Sequence, residues 1–302
     1  MNEAWDERAL WQKARLFLNH AMDADEPRDF DERALWASLA LELLAKGALA
    51  RISPLLIATP NEEGTNLLAA SGLVQGSGSF NSVAATTLFT RCARAFRPFD
   101  ESEAKKIARA RNEYLHGGSA VFSPIPEEAW WPSFWAQAAI LVHAQDKTLE
   151  ELVGLDRLAA VDNYLAKNKR NLQQRAEVLI LRARQRLQQY RSGDLPSKFL
   201  AEWQHPSDLS ASLMYSTYTD CPVCGEAGKL EGDTIGSSEM RYGGSGPDDW
   251  DTWVELTIYA DYFSCATCRI VLDGTDLLDA AGLDTVFVEI GDPPDEPDYG
   301  ND

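Results

Sequence analysis

Two Cys-x-x-Cys pairs, Cys221-Pro-Val-Cys224-Gly and Cys265-Ala-Thr-Cys268, restrict the fold of the last third more than any other feature of the 302-residue chain. A Cys-x-x-Cys turn followed by glycine is the sequence form of a tight knuckle. It brings two thiolates to one ion while backbone N–H groups face the sulfurs. Two such knuckles complete a closed tetrahedral site, which predicts a structural zinc ion held by Cys221, Cys224, Cys265 and Cys268. The acidic start, Met1-Asn2-Glu3-Ala4-Trp5-Asp6-Glu7, has no basic segment leading into an apolar one. A cytoplasmic, reducing location is therefore expected, where paired cysteines read as metal ligands before disulfides. The competing reading is two separate thiol–disulfide pairs. The fifth cysteine, Cys92, stands alone. The 40-residue interval between the knuckles suits an extended hairpin and loop that includes Gly243-Gly-Ser-Gly-Pro247.

Charge divides the chain at the same place. Its overall −19 argues against a nucleic-acid partner. Residues 1–120 hold 14 Lys/Arg against 16 Asp/Glu, and residues 121–200 hold 11 against 9. Residues 201–302 hold only Lys229, Arg241 and Arg269 against 22 acids. Within 163–191, Lys167, Lys169, Arg170, Arg175, Arg182, Arg184, Arg186 and Arg191 face Glu177 alone. A near-neutral body with a basic segment is thus joined to an acidic module. The expected organisation is a helical domain over 1–200, a β-rich zinc ribbon over 206–290 and an acidic, disordered tail over 291–302.

The first 200 residues read as helical. Apolar spacing predicts helices over Glu3–Ala24, from Asp29 or Asp31 to about Ile52, Ser82–Phe96, Glu101–Leu115, Glu127–Ala144 and Thr148–Tyr190. The hexapeptide Asp-Glu-Arg-Ala-Leu-Trp occurs at 6–11 and 31–36, read as two acidic N-terminal turns opening apolar stripes. Residues 60–82 read as a loop centred on Gly76-Ser77-Gly78-Ser79. In the last long segment Leu165, Leu172, Ala176, Leu179, Ala183, Leu187 and Tyr190 form a core-facing stripe, with the arginines around the rest. Beyond Pro196, runs such as Trp253–Tyr259 and Thr285–Ile290 predict strands. Nine Trp, nine Tyr and eleven Phe exclude a wholly disordered chain. The richest apolar stretch, Ala34–Ala58, is broken by Glu42, Lys46 and Arg51, which excludes a membrane helix.

The chemistry-bearing candidate ends the fourth helix: Arg111-Asn112-Glu113-Tyr114-Leu115-His116-Gly117-Gly118. This Arg-x4-His pattern on a late helix of an all-helical region resembles the HEPN family of helical ribonucleases and nucleotide-binding domains. The likeness covers roughly residues 1–190, through helix order and motif position, and bacterial HEPN proteins with an appended zinc ribbon resemble the whole architecture. Arg15-Leu-Phe-Leu-Asn-His20 has the same spacing, and Arg109 stands seven residues before His116. Arg111 and His116 are preferred because Asn112 follows the Arg, the helix stops at the His, and three helices come first.

The resemblance implies a mainly α chain with a HEPN-like bundle and a metal-independent endoribonuclease leaving 2′,3′-cyclic phosphate and 5′-hydroxyl ends. It implies a homodimer, since residues five apart on one helix lie about 140° apart and converge poorly on one atom. His116 would be the general acid/base, Arg111 the phosphate clamp and Asn112 an orienting group. Such a protein would serve as a toxin or phage-defence effector. Glu42 and Lys46 read as an i,i+4 surface pair, with a supporting role at the cleft as the alternative. The basic segment 163–191 suits RNA phosphates or is a solvated face, and the acidic ribbon would bind a protein partner or inhibitor. His143 and His205 have no partner pattern. The rival to the ribonuclease is a non-catalytic HEPN scaffold or ligand-sensing module, in which Arg111 and His116 are structural.

Overall fold

The computed structural model describes residues 5–23, 28–74, 81–119, 121–204, 208–246 and 249–291. The loop expected at 76–79, His205 and residues 292–302 of the expected tail lie outside them. The described chain is mainly α-helical with two small antiparallel sheets. It divides into two compact units, Met1–Asn168 and Lys169–Asp302. The division falls inside a helix.

The first unit is built on helices α1 (Glu7–Met22), α2 (Phe30–Ile52), α3 (Thr65–Ala70), α4 (Ala85–Ala95), α5 (Glu101–His116), α6 (Glu127–His143) and α7 (Leu149–Val153). The two copies of Asp-Glu-Arg-Ala-Leu-Trp do different work. Asp6 caps α1, accepting from the N–H groups of Arg8 and Ala9 at 2.7 and 3.1 Å. In the second copy Asp29, not Asp31, caps the helix. Asp31 instead accepts from the Phe122 N–H at 2.8 Å, fastening the segment after α5.

α2 is the axis of this unit. Small residues (Ala34, Ala37, Ser38, Ala40, Ala45, Gly47, Ala48) alternate with Leu41, Leu44 and Leu49, and all of them are buried. Their low bulk lets α1, α4, α5 and α6 approach one helix from several sides. α6 supplies aromatic volume opposite the small residues of α2. Trp130, Trp131, Phe134 and Trp135 are buried, with the Trp130 and Phe134 rings stacked at 5.3 Å.

The segment expected to be one helix from Thr148 to Tyr190 is two. Thr148 and Glu151 form a reciprocal capping box for α7, and Gly154, at φ +84°, ends it. α8 (Leu155–Ser192) then runs 38 residues into the second unit. Along α8 Leu165 packs against the first core, whereas Ala183 and Leu187 are buried in the second. Lys169, Arg170, Arg175, Arg182, Arg184 and Arg191 are exposed. A short helix, α9 (Ser197–Gln204), follows Pro196, and its Trp203 stacks on Tyr190 at 5.3 Å.

In the second unit, strands β1 (Tyr215–Asp220), β2 (Ala227–Gly232), β5 (Tyr262–Ser264) and β6 (Val271–Asp273) form a sheet in the order β1-β2-β5-β6. Strands β3 (Thr234–Gly246), β4 (Asp249–Tyr259) and β7 (Val286–Gly291) form the second, in the order β3-β4-β7. The helix α10 (Thr275–Ala280) lies between β6 and β7 in sequence. The long β3–β4 pair fills the interval between the Cys-x-x-Cys turns. Glu231, fully buried on β2, is satisfied by the Ser210 hydroxyl at 2.7 Å, the Ala211 N–H at 2.9 Å and the Lys229 ammonium at 3.2 Å. These contacts tie the incoming segment 208–212 to the sheet.

At the end of β2 the backbone of Tyr259 closes on Gly232. A Cβ there would collide with the Tyr259 carbonyl oxygen and lie 3.2 Å from Ile258 Cγ2. Backbone cannot yield as a side-chain tip does. Gly232→Ala is expected to destabilise the chain by about 3 kcal/mol, read as a lowered midpoint in urea unfolding monitored by near-UV circular dichroism.

Candidate active site and metal centre

Helix α5 begins at an Asp100 cap and buries Ala104, Ile107 and Ala108. The next position on that inward stripe is Arg111. A guanidinium, fixed in charge, therefore stands where the periodicity calls for an apolar side chain. α2 presents the complementary anomaly. Along its buried length Ser38, Glu42 and Lys46 recur every four residues and make one polar stripe.

The two anomalies meet. Arg111 Nη1 donates to Glu42 Oε2 at 2.5 Å, and Lys46 Nζ lies 2.8 Å from Glu42 Oε1. The side chains of Arg111, Lys46 and Glu42 are only 11, 12 and 20% exposed. Arg111 Nε and Nη2 also donate to Asn112 Oδ1 at 3.2 and 3.1 Å, so two edges of the guanidinium are fixed. The expected surface pair Glu42–Lys46 is instead part of this half-buried cluster. Burial opposes the charge on Glu42, but Lys46 and Arg111 more than offset it and hold its carboxyl below the ordinary value.

His116 occupies the last turn of α5 and is exposed. Lys106, Arg109 and Asn112 are exposed too, at spacings of three and four residues that place them on the same face as His116. Arg111 points the other way, to α2. Among the described residues of α5 the arginine that shares the face of His116 is thus Arg109, two turns back. Its seven-residue separation from His116 is the signal that identifies it. Of Arg15 and His20, which share the Arg-x4-His spacing, His20 is engaged elsewhere: its imidazole packs on Trp36 with ring centroids 4.9 Å apart. His143 is exposed at the end of α6.

The four cysteines come together as the spacing predicts. Cys221 and Cys224 lie on the turn between β1 and β2, and Cys265 and Cys268 on the turn between β5 and β6. The turns are built alike. Gly225 N–H bonds the Cys221 carbonyl and Arg269 N–H bonds the Cys265 carbonyl, both at 2.9 Å, with φ of +74° and +61°. Every ligand atom lies within 4.8 Å of the others, and all four thiols are free. Two sulfur contacts run between turns, Cys221–Cys268 at 3.5 Å and Cys224–Cys265 at 3.7 Å. The four thiols converge in one cluster that could hold a metal ion. The Cys268 thiol and the backbone N–H groups of Val223 and Cys224 push the Cys221 thiol down to about 5. Cys268 is pushed up by that same hydrogen bond.

No family model, no curated protein and no solved structure matches this chain. No helix among the described residues is long and apolar enough to cross a membrane.

Glu42 ionises more readily in the folded chain than in the unfolded one. Its contribution to stability is present above the unfolded value and is lost as pH falls through the lowered folded value. Glu42→Gln is expected to be less stable by about 1.5–3 kcal/mol at pH 7. In urea unfolding that gap should hold down to about pH 5 and close at more acidic pH; a gap independent of pH would show that the carboxylate charge is not what matters.

Proposed function

We propose that this chain is an endoribonuclease of the HEPN type that acts without a catalytic metal. The reading rests on one observation: α5 carries a fixed, half-buried guanidinium on one face and an exposed imidazole with exposed cations on another. Arg111 is held by Glu42 and Asn112, so it needs no rearrangement to receive charge. Its remaining N–H groups suit a phosphate oxygen. His116 supplies an exposed imidazole, the side-chain type suited to general acid/base work.

In the proposed reaction one imidazole removes the proton of an RNA 2′-hydroxyl. The 2′ oxygen bonds to the adjacent phosphorus as the bond from phosphorus to the 5′ oxygen breaks. A second, protonated imidazole supplies the proton that the leaving 5′ oxygen gains. The products are a 2′,3′-cyclic phosphate and a 5′-hydroxyl. Since His116 and Arg111 diverge around one helix, a second copy of the chain would bring the second imidazole. The homodimer is therefore part of the proposal. Lys106 and Arg109 would bind flanking phosphates, and the exposed cations of α8 are a separate group of side chains suited to RNA phosphates. A cytoplasmic toxin or phage-defence role fits such an activity, with the acidic β-rich unit left to bind a protein partner or inhibitor.

The purified protein, without added divalent metal, is expected to cut tRNA or mRNA to cyclic-phosphate ends. His116→Ala should lose that cleavage by at least about 100-fold while keeping its circular dichroism spectrum. Arg109→Ala should raise KM more than it lowers kcat, as loss of a substrate phosphate contact does. Equal cleavage by the wild type and His116→Ala would overturn the assignment. Inactivity of both in the folded state favours the non-catalytic scaffold.

For the cysteine cluster we propose a structural zinc ion. A tetrahedral zinc with four thiolates at about 2.3 Å has sulfur–sulfur edges of about 3.8 Å, close to the 3.5 and 3.7 Å separations between the turns. Four protein ligands leave no open position, so the ion would crosslink the hairpins and take no part in cleavage. Elemental analysis should find one zinc per chain, with Cys265→Ser losing most of it. Chelation of the wild type should unfold the β-rich unit first.

A further inference from the structure

A second cationic site lies in the first unit, built from elements that do not carry the α5 motif. Arg8, Trp11, Gln12 and Arg15 recur at three- and four-residue steps on one face of α1. They line a cleft of about 420 Å³ together with Lys147 and Glu151. Lys147 belongs to the turn joining α6 to α7, and that turn is closely held. Asp146 takes φ +52° and the Lys147 N–H bonds the Val142 carbonyl at 3.4 Å. The buried Gln145 amide beneath it donates to the Leu141 carbonyl at 2.9 Å. The Lys147 ammonium lies 5.1 Å from the centre of the Trp11 ring, which is 4% exposed and floors the cleft.

The charge of this cleft is out of balance. Three cations face one carboxylate, and that carboxylate is already committed: Glu151 accepts from the Thr148 N–H at 2.7 Å to cap α7. Among the described residues the buried Arg15 Nε meets no hydrogen-bond acceptor. A buried guanidinium N–H without an acceptor is costly, and a shift of the Arg15 side chain toward an oxyanion in the cleft would relieve that cost. Two guanidinium groups and an ammonium form the donor set that recognises tetrahedral oxyanions. The net charge of +2 matches a phosphomonoester dianion better than the single charge of a phosphodiester. The volume falls within the range of about 300–1,000 Å³ usual for small-molecule sites, larger than a bare phosphate requires.

We propose that this cleft binds a small phosphomonoester of nucleotide or sugar-phosphate size, with Arg15 and Lys147 on the phosphate and the body of the ligand toward Trp11 and Gln12. The site is independent of the ribonuclease reading, because none of its residues belongs to α2 or α5.

The test uses the full-length protein and isothermal titration with inorganic phosphate, ribose 5-phosphate, AMP, adenosine and a 5′-hydroxyl oligonucleotide. The three phosphomonoester-type probes are expected to bind, AMP most tightly, and adenosine is not. Arg15→Met, which keeps the apolar stem, should weaken AMP by at least about tenfold, with the unliganded melting temperature unchanged to about 2 °C. Lys147→Gln provides the second variant should Arg15→Met not fold, with the same loss expected. RNA cleavage by either variant, where cleavage is seen, should be unaffected at saturating substrate. Absence of binding by all three phosphorylated probes would overturn the proposal. So would AMP binding that survives both substitutions, or oligonucleotide binding stronger than AMP and lost on mutation.

Discussion

The first unit depends on burying α2 on nearly all sides, and that burial forces the treatment of one carboxylate. Most of the helix meets its surroundings with alanine, glycine and leucine. Glu42 lies in that same stretch, where an unpaired charge costs several kcal/mol. Lys46 answers it from the same helix and Arg111 from α5. Contact between α2 and α5 thus carries an electrostatic condition as well as an apolar one: the helices must arrive in the register that pairs these groups. A misregistered pairing would strand a carboxylate and a guanidinium together, so the cluster selects one packing.

That condition also separates two jobs on α5. Its inner stripe runs from Ala104 through Ile107 and Ala108 to Arg111, and its outer stripe carries Lys106, Arg109, Asn112 and His116. Asn112 links them, exposed on the outer side yet bonded to the Arg111 guanidinium. A substitution at Arg111 therefore disturbs packing and any phosphate contact at once, whereas Arg109 and His116 report on the outer face alone. Loss of activity at Arg111 would be ambiguous. Loss at His116 would not.

The long amphipathic and tryptophan-rich helices were legible in the sequence because periodicity and composition agreed there. The knuckles were legible because metal-ligand spacing leaves few alternatives. The break at Gly154 was not, since the apolar stripe continues across it and only the left-handed backbone interrupts the helix. β3 is legible only as one arm of the extended hairpin expected between the knuckles: Thr-Ile-Gly-Ser-Ser-Glu-Met-Arg-Tyr-Gly-Gly has no clean alternation and takes its strand form from pairing with β4. At the α5 site the motif gave the residues but not their partners. Glu42 lies 69 positions from Arg111, a separation no local pattern spans. The misplaced charges were themselves visible, an arginine on an apolar stripe and a glutamate in an alanine-rich helix.

The two cysteine turns sit on hairpins adjacent in one sheet through the β2–β5 pair, while the interval between them folds away as β3 and β4. The insertion therefore leaves and re-enters at strand ends already fixed by β2 and β5. The entropy of closing such an interval grows only with the logarithm of its length, about 0.6 kcal/mol per doubling. The thiol cluster is accordingly indifferent to how far the β3–β4 hairpin extends. Leu256 and Ile258 at the base of that hairpin pack in the core that holds the cysteines, so it is the end away from that base that is best suited to change in length over generations.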